Sequence, residues 1–413
     1  MNGVPRIREG QDPSCAPGAP AALLTGRRAG TGQADLGHGE VLTVAEYFAG
    51  IGLVRMGLEP CGWKVVFAND ISQRKYEMYQ GFFPDAADHY VVDDIFKLDP
   101  GVVPQTHLGT CSFPCIDLSL AGNMGGINGR HSCAFWGFIG MLRKQGRNAP
   151  PLLLVENVPG WLHSNNGADF KVTVQAINKL GYSCDVFTLD ALHFTPQSRP
   201  RVFLVAAKPP LPKGGLTEML TRPPSLLSGR LRESLVANAR LTWFCSDIPS
   251  PPDLLAAGLS DIVERMGDAD PRWWPDDEVK RHLAMMEASH RRRVEQLSKG
   301  QRFTYRTFFR RRRKGEQRAE VRDDDLAGCL RTAVGGSGKQ FLIRAGKGAV
   351  AMRAMTPREY ARLQGVSDEY SIAADGVQAL TGFGDAVCVP AIGWIAANVL
   401  NPLAQMRHSA KER

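Results

Sequence analysis

Short apolar runs, several of them closed by a glycine turn or an acid, recur from Val41 onward and alternate with stretches of helical character. VLTVAEYFAG opens the series at Val41, and KVVFAND, Lys64 to Asp70, is a second strand pattern ending on a carboxylate. THLGTCSFPC, Thr106 to Cys115, is a third. PLLLVENV, Pro151 to Val158, has the uninterrupted apolar character of a parallel strand buried on both faces. YSCDVFTLDA and RVFLVAAK, the latter from Arg201 to Lys208, predict two more strands. Between the runs lie ISQRKYEMYQGFF after Asp70 and FWGFIGMLRK, Phe135 to Lys144, with helical patterning. Strands alternating with helices predict a doubly wound α/β sheet.

The alternation stops at KPPLPKGG, Lys208 to Gly215, a Pro/Gly linker of the kind that separates domains. The chain is then rich in Pro, Trp and Arg until about residue 324, with one helix predicted from Asp276 to Ser298. AGCLRTAVGGSGKQ, MTPREYARLQG and GFGDAVCVPAIGWIAANVL follow, the last patterned as a packed helix. The expected organisation is a flexible tail over 1–40, the first part of the α/β unit over 41–209, an inserted smaller domain over 210–324, and a return to the α/β unit over 325–413. The tail is expected because Gly, Pro and Ala dominate it without a hydrophobic period.

At 413 residues, 43% hydrophobic and 22% charged, the chain can bury a sizeable core, which excludes disorder throughout and a small disulfide scaffold. Nine cysteines without a CxxC pair read as reduced thiols, so a cytoplasmic location and no metal site are expected. The longest apolar candidate, Val387 to Leu400, is broken by Pro390, Gly393 and Trp394, and no membrane span is expected. Charge changes the picture more. Lys280 to Arg322 holds 15 basic against 4 acidic residues, a net +11 in a chain of +8, which leaves the remainder slightly acidic. Aromatic residues interleave with this run in RFTYRTFFRRRRKG, so a polyanion is expected there, although a solvated face would read the same.

Four constellations carry candidate chemistry. FAGIG, Phe48 to Gly52, follows a strand, and Asp70 lies twenty residues beyond Gly50, a spacing that suits a cofactor loop with a ribose acceptor and equally a tight structural turn. Asp94, closing YVVDDI, is a further acid at a strand terminus. Ser112-Phe113-Pro114-Cys115 puts a thiol at a strand's carboxyl end, where open α/β sheets hold reactive groups; a lone cysteine is more often inert and buried. Glu156, closing LLLV, brings a partly desolvated carboxyl to the same edge, suited to a proton donor or to a helix cap. Gln197-Ser198-Arg199-Pro200-Arg201 places two guanidiniums on one side of an extended segment, as a donor fork or a surface ion pair.

In this order, and with RTAVGGSGKQ, MTPREYARLQG and GDAVCVP behind them, the motifs resemble the prokaryote-type DNA (cytosine-5)-methyltransferase family over nearly all of residues 41 to 400. The resemblance implies an S-adenosyl-L-methionine-dependent Rossmann-like fold with an inserted target-recognition domain over 210–324. It implies methyl transfer to carbon 5 of a flipped cytosine in double-stranded DNA. The matching catalytic positions are Cys115 as thiolate nucleophile, Glu156 at ring nitrogen 3, Arg201 at the carbonyl oxygen and Arg199 in support. The matching cofactor positions are Phe48, Ala49, Gly50, Ile51, Gly52, Asp70, Ile71, Asp94, Ile95, Pro114, Asp385, Ala386 and Val387. Phosphate and groove contacts are expected from Arg302, Arg306, Arg310, Arg311, Arg312, Arg313 and Lys314. A monomer is expected, working with a separate restriction endonuclease or alone, in the cytoplasm on the nucleoid. Four departures stand out: Leu53 for a common Gly, Ser112 for Gly before Phe-Pro-Cys, Ile116 for Gln after it, and Asp385 for Asn. Relatives with the same motifs methylate tRNA, and the long basic insertion favours DNA.

Overall fold

The computed structural model describes residues 41–114, 127, 129, 133–313, 315–332, 338–372 and 376–411. Cys115, Ile116 and Lys314 lie outside the described residues, as does segment 1–40. Seven strands form the main sheet: β1 (Leu42–Tyr47), β2 (Trp63–Asp70), β3 (Tyr90–Val92), β4 (Leu108–Cys111), β5 (Leu152–Asn157), β6 (Ser183–Asp190) and β7 (Pro200–Ala207). Their order is β3-β2-β1-β4-β5-β7-β6, parallel except for β7, which lies antiparallel between β5 and β6. The connection 191–199 accounts for this: a parallel crossover needs about a dozen residues or more, and a shorter link turns the strand back.

Both faces of the sheet are covered. Leu42 and Val44 of β1 enter one core with the helix Leu53–Leu58 and with Ile392, Ile395 and Val399. Ala45 and Tyr47 enter the other, with Phe135 and Phe138 of Ala134–Gln145 and Phe170, Val174 and Ile177 of Ala168–Lys179. A single helical run among the described residues, Gly376–Ala410, is long and apolar enough to cross a membrane; 56% of its apolar window is buried inside the fold. Trp63 of β2 ties this run to the sheet by donating from Nε1 to Asn401 Oδ1 at 2.7 Å.

A second, antiparallel sheet comprises β8 (Thr304–Arg313), β9 (Glu316–Val321), β10 (Gln340–Gly346) and β11 (Ala349–Ala354) in the order β11-β10-β8-β9. Phe308, Ala319, Phe341, Ile343 and Met352 pack on one face of it against Val279, Met286 and Val294. The single helix expected over 276–298 is two, Asp276–Ala284 and Ala288–Ser298, because Met286 makes a bridge to Ala319 and the Ala319 N–H donates to Met285 O. The packing also departs from the expected boundaries at 210 and 325. Met219, Leu231 and Leu235 join the main core, and Arg222 is buried on Asp185 of β6 through bonds of 2.6 and 2.8 Å. β10 and β11, expected in the returning α/β unit, complete the second sheet. A Pro/Gly break marks where strand alternation ends, which here precedes the last helices that cover the sheet.

Candidate active site

The carboxyl ends of β1, β2, β4 and β5 gather the predicted groups. After β1 the chain turns through positive φ at Phe48 (59°), Gly50 (58°) and Gly52 (85°). A side chain at Gly52 would meet Phe83 at 2.5 Å and Tyr79 at 2.8 Å, so only glycine fits this turn. Asp70 closes β2 and holds the turn: Oδ2 accepts the Gly50 N–H at 3.1 Å and Oδ1 the Ser72 N–H at 3.0 Å. A carboxylate has about four acceptor positions, so capacity remains for a ligand hydroxyl. Ala49 donates to Asn69 O at 2.9 Å, and Ile51 and Leu53 are buried below, which accommodates Leu53 at a position often occupied by glycine. Ile71 is 70% exposed at this edge, and Asp94 accepts the Phe96 N–H at 3.1 Å. Ile95 is buried in the core, where a side chain at Gly137 would meet its Cγ2 at 2.5 Å.

Glu156 is the penultimate residue of β5, next to Asn157, and Arg201 of β7 faces it, with Nε 2.8 Å from Oε1. The two side chains are 11% and 12% exposed, a nearly dry ion pair at the sheet edge. Asn157 donates from Nδ2 to Phe113 O at 3.2 Å and so fixes the loop through Pro114 that leads to Cys115. A small cleft beside the pair is lined by Glu156, Arg199, Arg201, Phe203 and Val387.

Arg199 does a different job from Arg201. Buried at 2%, it donates to Leu330 O (2.7 Å), Gly384 O (3.1 Å) and Ala386 O (2.6 Å), clamping three backbone carbonyls. Gln197 and Gln364 extend the clamp: Gln197 accepts the Leu330 N–H and donates to Leu363 O, while Gln364 donates to Phe383 O and Ala386 O. Cys329 lies 3.4 Å from Arg199 Nη1 and 3.7 Å from Arg201 Nη1 and Nη2. Burial pushes its thiol up, yet the guanidiniums of Arg199 and Arg201 outweigh this and hold it below the ordinary cysteine value. Sequence reasoning missed Asn157, Gln197, Gln364 and Cys329 as working parts. Their partners lie up to 167 residues away, and only the motif neighbours Glu156 and Arg199 hinted at the first two. Asp385, the acid replacing Asn, has Lys75 Nζ 3.2 Å from Oδ2, and its Oδ1 accepts from Thr332 Oγ1 at 3.1 Å.

The basic run is divided rather than presented as one patch. Arg310 stacks over Phe341 (4.7 Å) toward the small core, and Arg306 lies 3.6 Å from Asp325. Arg311 and Arg313 both pair with Glu320, while Arg302 and Arg312 are exposed. Among the described residues no group of three or more His, Cys, Asp or Glu side chains is placed to hold a metal ion.

A seven-stranded sheet with one antiparallel strand, a glycine turn after β1 and functional groups at the strands' carboxyl ends define an S-adenosyl-L-methionine-dependent methyltransferase fold. Residues 42–401 match the model of the C-5 cytosine-specific DNA methylases, and the chain belongs to that family; it is a DNA (cytosine-5-)-methyltransferase. It is similar to the type II methyltransferase M.HaeII of Haemophilus aegyptius, 26% identical over 359 residues that cover 87% of this chain and 92% of that protein. M.HpaII of Haemophilus parainfluenzae is 25% identical over 386 residues, 89% of this chain and 91% of its own. Among solved structures, the S. pombe Dnmt2 methyltransferase shares the fold with a TM-score of 0.55 at 16% identity, over 88% of this chain and 99% of that one. The Entamoeba histolytica methyltransferase EhMeth does so with 0.58 at 14%, over the same shares.

Proposed function

We propose that the chain methylates carbon 5 of a cytosine flipped out of a specific double-stranded DNA sequence, through a covalent bond between Cys115 and the base. The observation that supports this best is the dry Glu156–Arg201 pair beside the strand end that leads to Cys115. Carbon 5 of cytosine is a weak nucleophile, and attack of the Cys115 thiolate at carbon 6 makes it an enamine. The electron pair displaced by that attack moves into the ring. Glu156 donates a hydrogen bond or proton to ring nitrogen 3, Arg201 donates to the carbonyl oxygen, and Arg199 holds the surrounding backbone. After methylation the carbon 5 proton leaves to water and the carbon 6–sulfur bond breaks, which restores the ring and Cys115. A cytosine inside a stacked duplex is out of reach of this edge, so flipping is required, at a cost of roughly a few kcal/mol.

The residues at the sheet edge fit S-adenosyl-L-methionine: the turn through Phe48, Ala49, Gly50, Ile51 and Gly52 leaves space at Gly50, where a side chain would meet nothing nearer than 3.9 Å, Asp70 and Asp94 offer acceptors, and Ile71 offers an exposed apolar face. Pro114, Asp385, Ala386 and Val387 would close the site around the amino-acid end. When bound, this cofactor supplies the electrophilic methyl group. The segment from 210 with the second sheet acts as the target-recognition part, with Arg302, Arg306, Arg310 to Arg313 and Lys314 supplying positive charge. The enzyme works as a monomer on DNA in the cytoplasm, beside a separate restriction endonuclease or alone.

The test is Cys115→Ser with labelled cofactor and duplex DNA. Methylation is abolished while DNA and cofactor binding persist; full activity in that variant, or labelling of tRNA instead of DNA, overturns the proposal.

A further inference from the structure

We propose that Arg311 and Arg313, oriented by Glu320, read guanine edges of the target sequence, whereas Arg310 and Arg312 of the same run do not. This inference rests on the DNA-methylation reading above.

Strand geometry separates the four arginines into two faces, since successive side chains on a strand point to opposite sides. Phe308, on the even-numbered face of β8, packs with Ala319, Val321 and Phe341 in the small core, and Arg310 follows it over the Phe341 ring. The odd-numbered face looks the other way: Tyr305 packs on the main core, to which Leu342, the β10 partner of Thr307, also belongs. Phe309, Arg311 and Arg313 continue this face beyond the main-core contact.

The hairpin end projects past the start of β10, toward the side of the second sheet that leads to the proposed site. Phe309 pairs with Gln340, the first residue of β10, so β8 past Phe309 extends beyond β10 together with β9. Two residues before Gln340, Gly338 lies so close to Thr332 that a side chain there would meet Thr332 O at 2.1 Å, and Thr332 donates to Asp385 in the proposed cofactor site. The projecting β8–β9 tip therefore overhangs the end of the second sheet that adjoins the catalytic edge.

Glu320 sets the chemistry of that tip. Its Oε1 lies 2.6 Å from Arg311 Nε and 3.0 Å from Arg313 Nε. A guanidinium held by Nε keeps its Nη1/Nη2 edge for another acceptor pair, the donor fork that matches guanine O6 and N7. The arginine side chains are 42% and 54% exposed, and Glu320 17%, so the forks are accessible while their anchor is sheltered. Arg311 also lies over the Phe309 ring at 5.7 Å, which further limits its movement. Two residues of strand span about 6.8 Å, close to two base steps at roughly 3.4 Å each. The carboxylate decides between phosphate and base. It lowers the local charge from +2 to +1 and would repel a phosphate, a loss for backbone contact. For base reading it is a gain, because discrimination depends on a fixed fork and not on net charge.

The experiment uses the full chain and a randomised duplex library methylated in vitro and read by bisulfite sequencing. Arg311→Lys and Arg313→Lys keep the charge but lose the fork, and each is expected to relax the preference for guanine at one position by about 10-fold. Glu320→Gln relaxes both positions, and Arg312→Lys relaxes none. Salt dependence of DNA binding stays unchanged in the lysine variants, and a cofactor thermal shift in each confirms that it is folded. The assignment is overturned if both lysine variants retain the wild-type sequence preference. It is equally overturned if Arg311→Gln and Arg313→Gln merely weaken binding to all sequences and each lowers the salt slope by about 1. Absence of methylation by the wild type would remove the underlying DNA reading, an outcome distinct from unchanged specificity in the variants.

Discussion

Two sets of arginines divide the molecule. Arg199, Arg201, Arg222 and Arg353 are buried or nearly so and bond to groups on other elements, several of them backbone carbonyls. Arg311, Arg313 and Arg318 sit on the β8–β9 hairpin and Arg322 just after it, and they pair with acids of that hairpin or the residues just after it, namely Glu320, Glu316 and Asp324. The same side chain thus fixes the relative position of distant segments in one region and arranges accessible charge in the other. In the first region, loss of one guanidinium or its carboxylate leaves a buried charge or a misplaced loop. In the second, water and neighbouring acids absorb much of the change.

The largest effect is expected at the catalytic edge. Glu156→Gln keeps the shape and one acceptor but removes the acid, and single-turnover methyl transfer should fall by about 10² to 10⁴-fold. Cofactor affinity should stay within about 2-fold, because the turn at Gly50 is held by Asp70 and not by the Glu156–Arg201 pair. A loss below 10-fold would reduce the Glu156–Arg201 pair to scaffolding and erase the functional half of the contrast.

Next comes the junction between the sheets. Arg353 of β11 pairs with Glu359, and both side chains are almost wholly buried. Glu359 also accepts the Thr356 N–H at 2.8 Å and the Glu264 N–H at 2.9 Å. Arg353→Met strands a buried carboxylate and should cost about 3–5 kcal/mol in urea unfolding. Arg318→Met on the same measurement should stay within about 0.5 kcal/mol. Equal costs would show that burial does not separate the two sets.

Much of the main sheet was legible because buried parallel strands leave continuous apolar runs such as LLLV before Glu156, and glycine turns such as Phe48 to Gly52 punctuate them. Strand direction was not: the pattern of RVFLVAA is the same in a parallel and an antiparallel strand, and the short link before it carries the information. Charge density located the basic domain but not its working face. RRRR reads as one block along the chain, whereas strand alternation sends Arg310 to the small core and Arg311 to the overhanging face. The catalytic edge was legible as motifs, while its supports were not. Gln364 and Cys329 act through contacts with Gln197, Arg199 and Arg201 that only tertiary packing creates.

A further test of the contrast is made through protons. Glu46 of β1 is 1% exposed, and neither of its carboxyl oxygens has a hydrogen-bond partner among the described residues. Burial pushes its carboxyl from 4.5 up to about 8; Arg55 pulls it partly back, and Glu59 and Asp70 push it further up. Between these two values the folded chain keeps a proton that the unfolded chain has released, so this group lowers stability progressively as pH rises through the window and adds no further change above it. Glu46→Gln is neutral at every pH and should remove that slope. Its urea midpoint relative to the wild type should climb from about pH 5 to about pH 8 and then level off. A slope that vanishes in Glu46→Gln belongs to the buried polar set. If the variant instead tracks the wild type at all pH values, Glu46 is ionised in the folded protein, and the main sheet tolerates a buried charge as readily as the hairpin tolerates an exposed one.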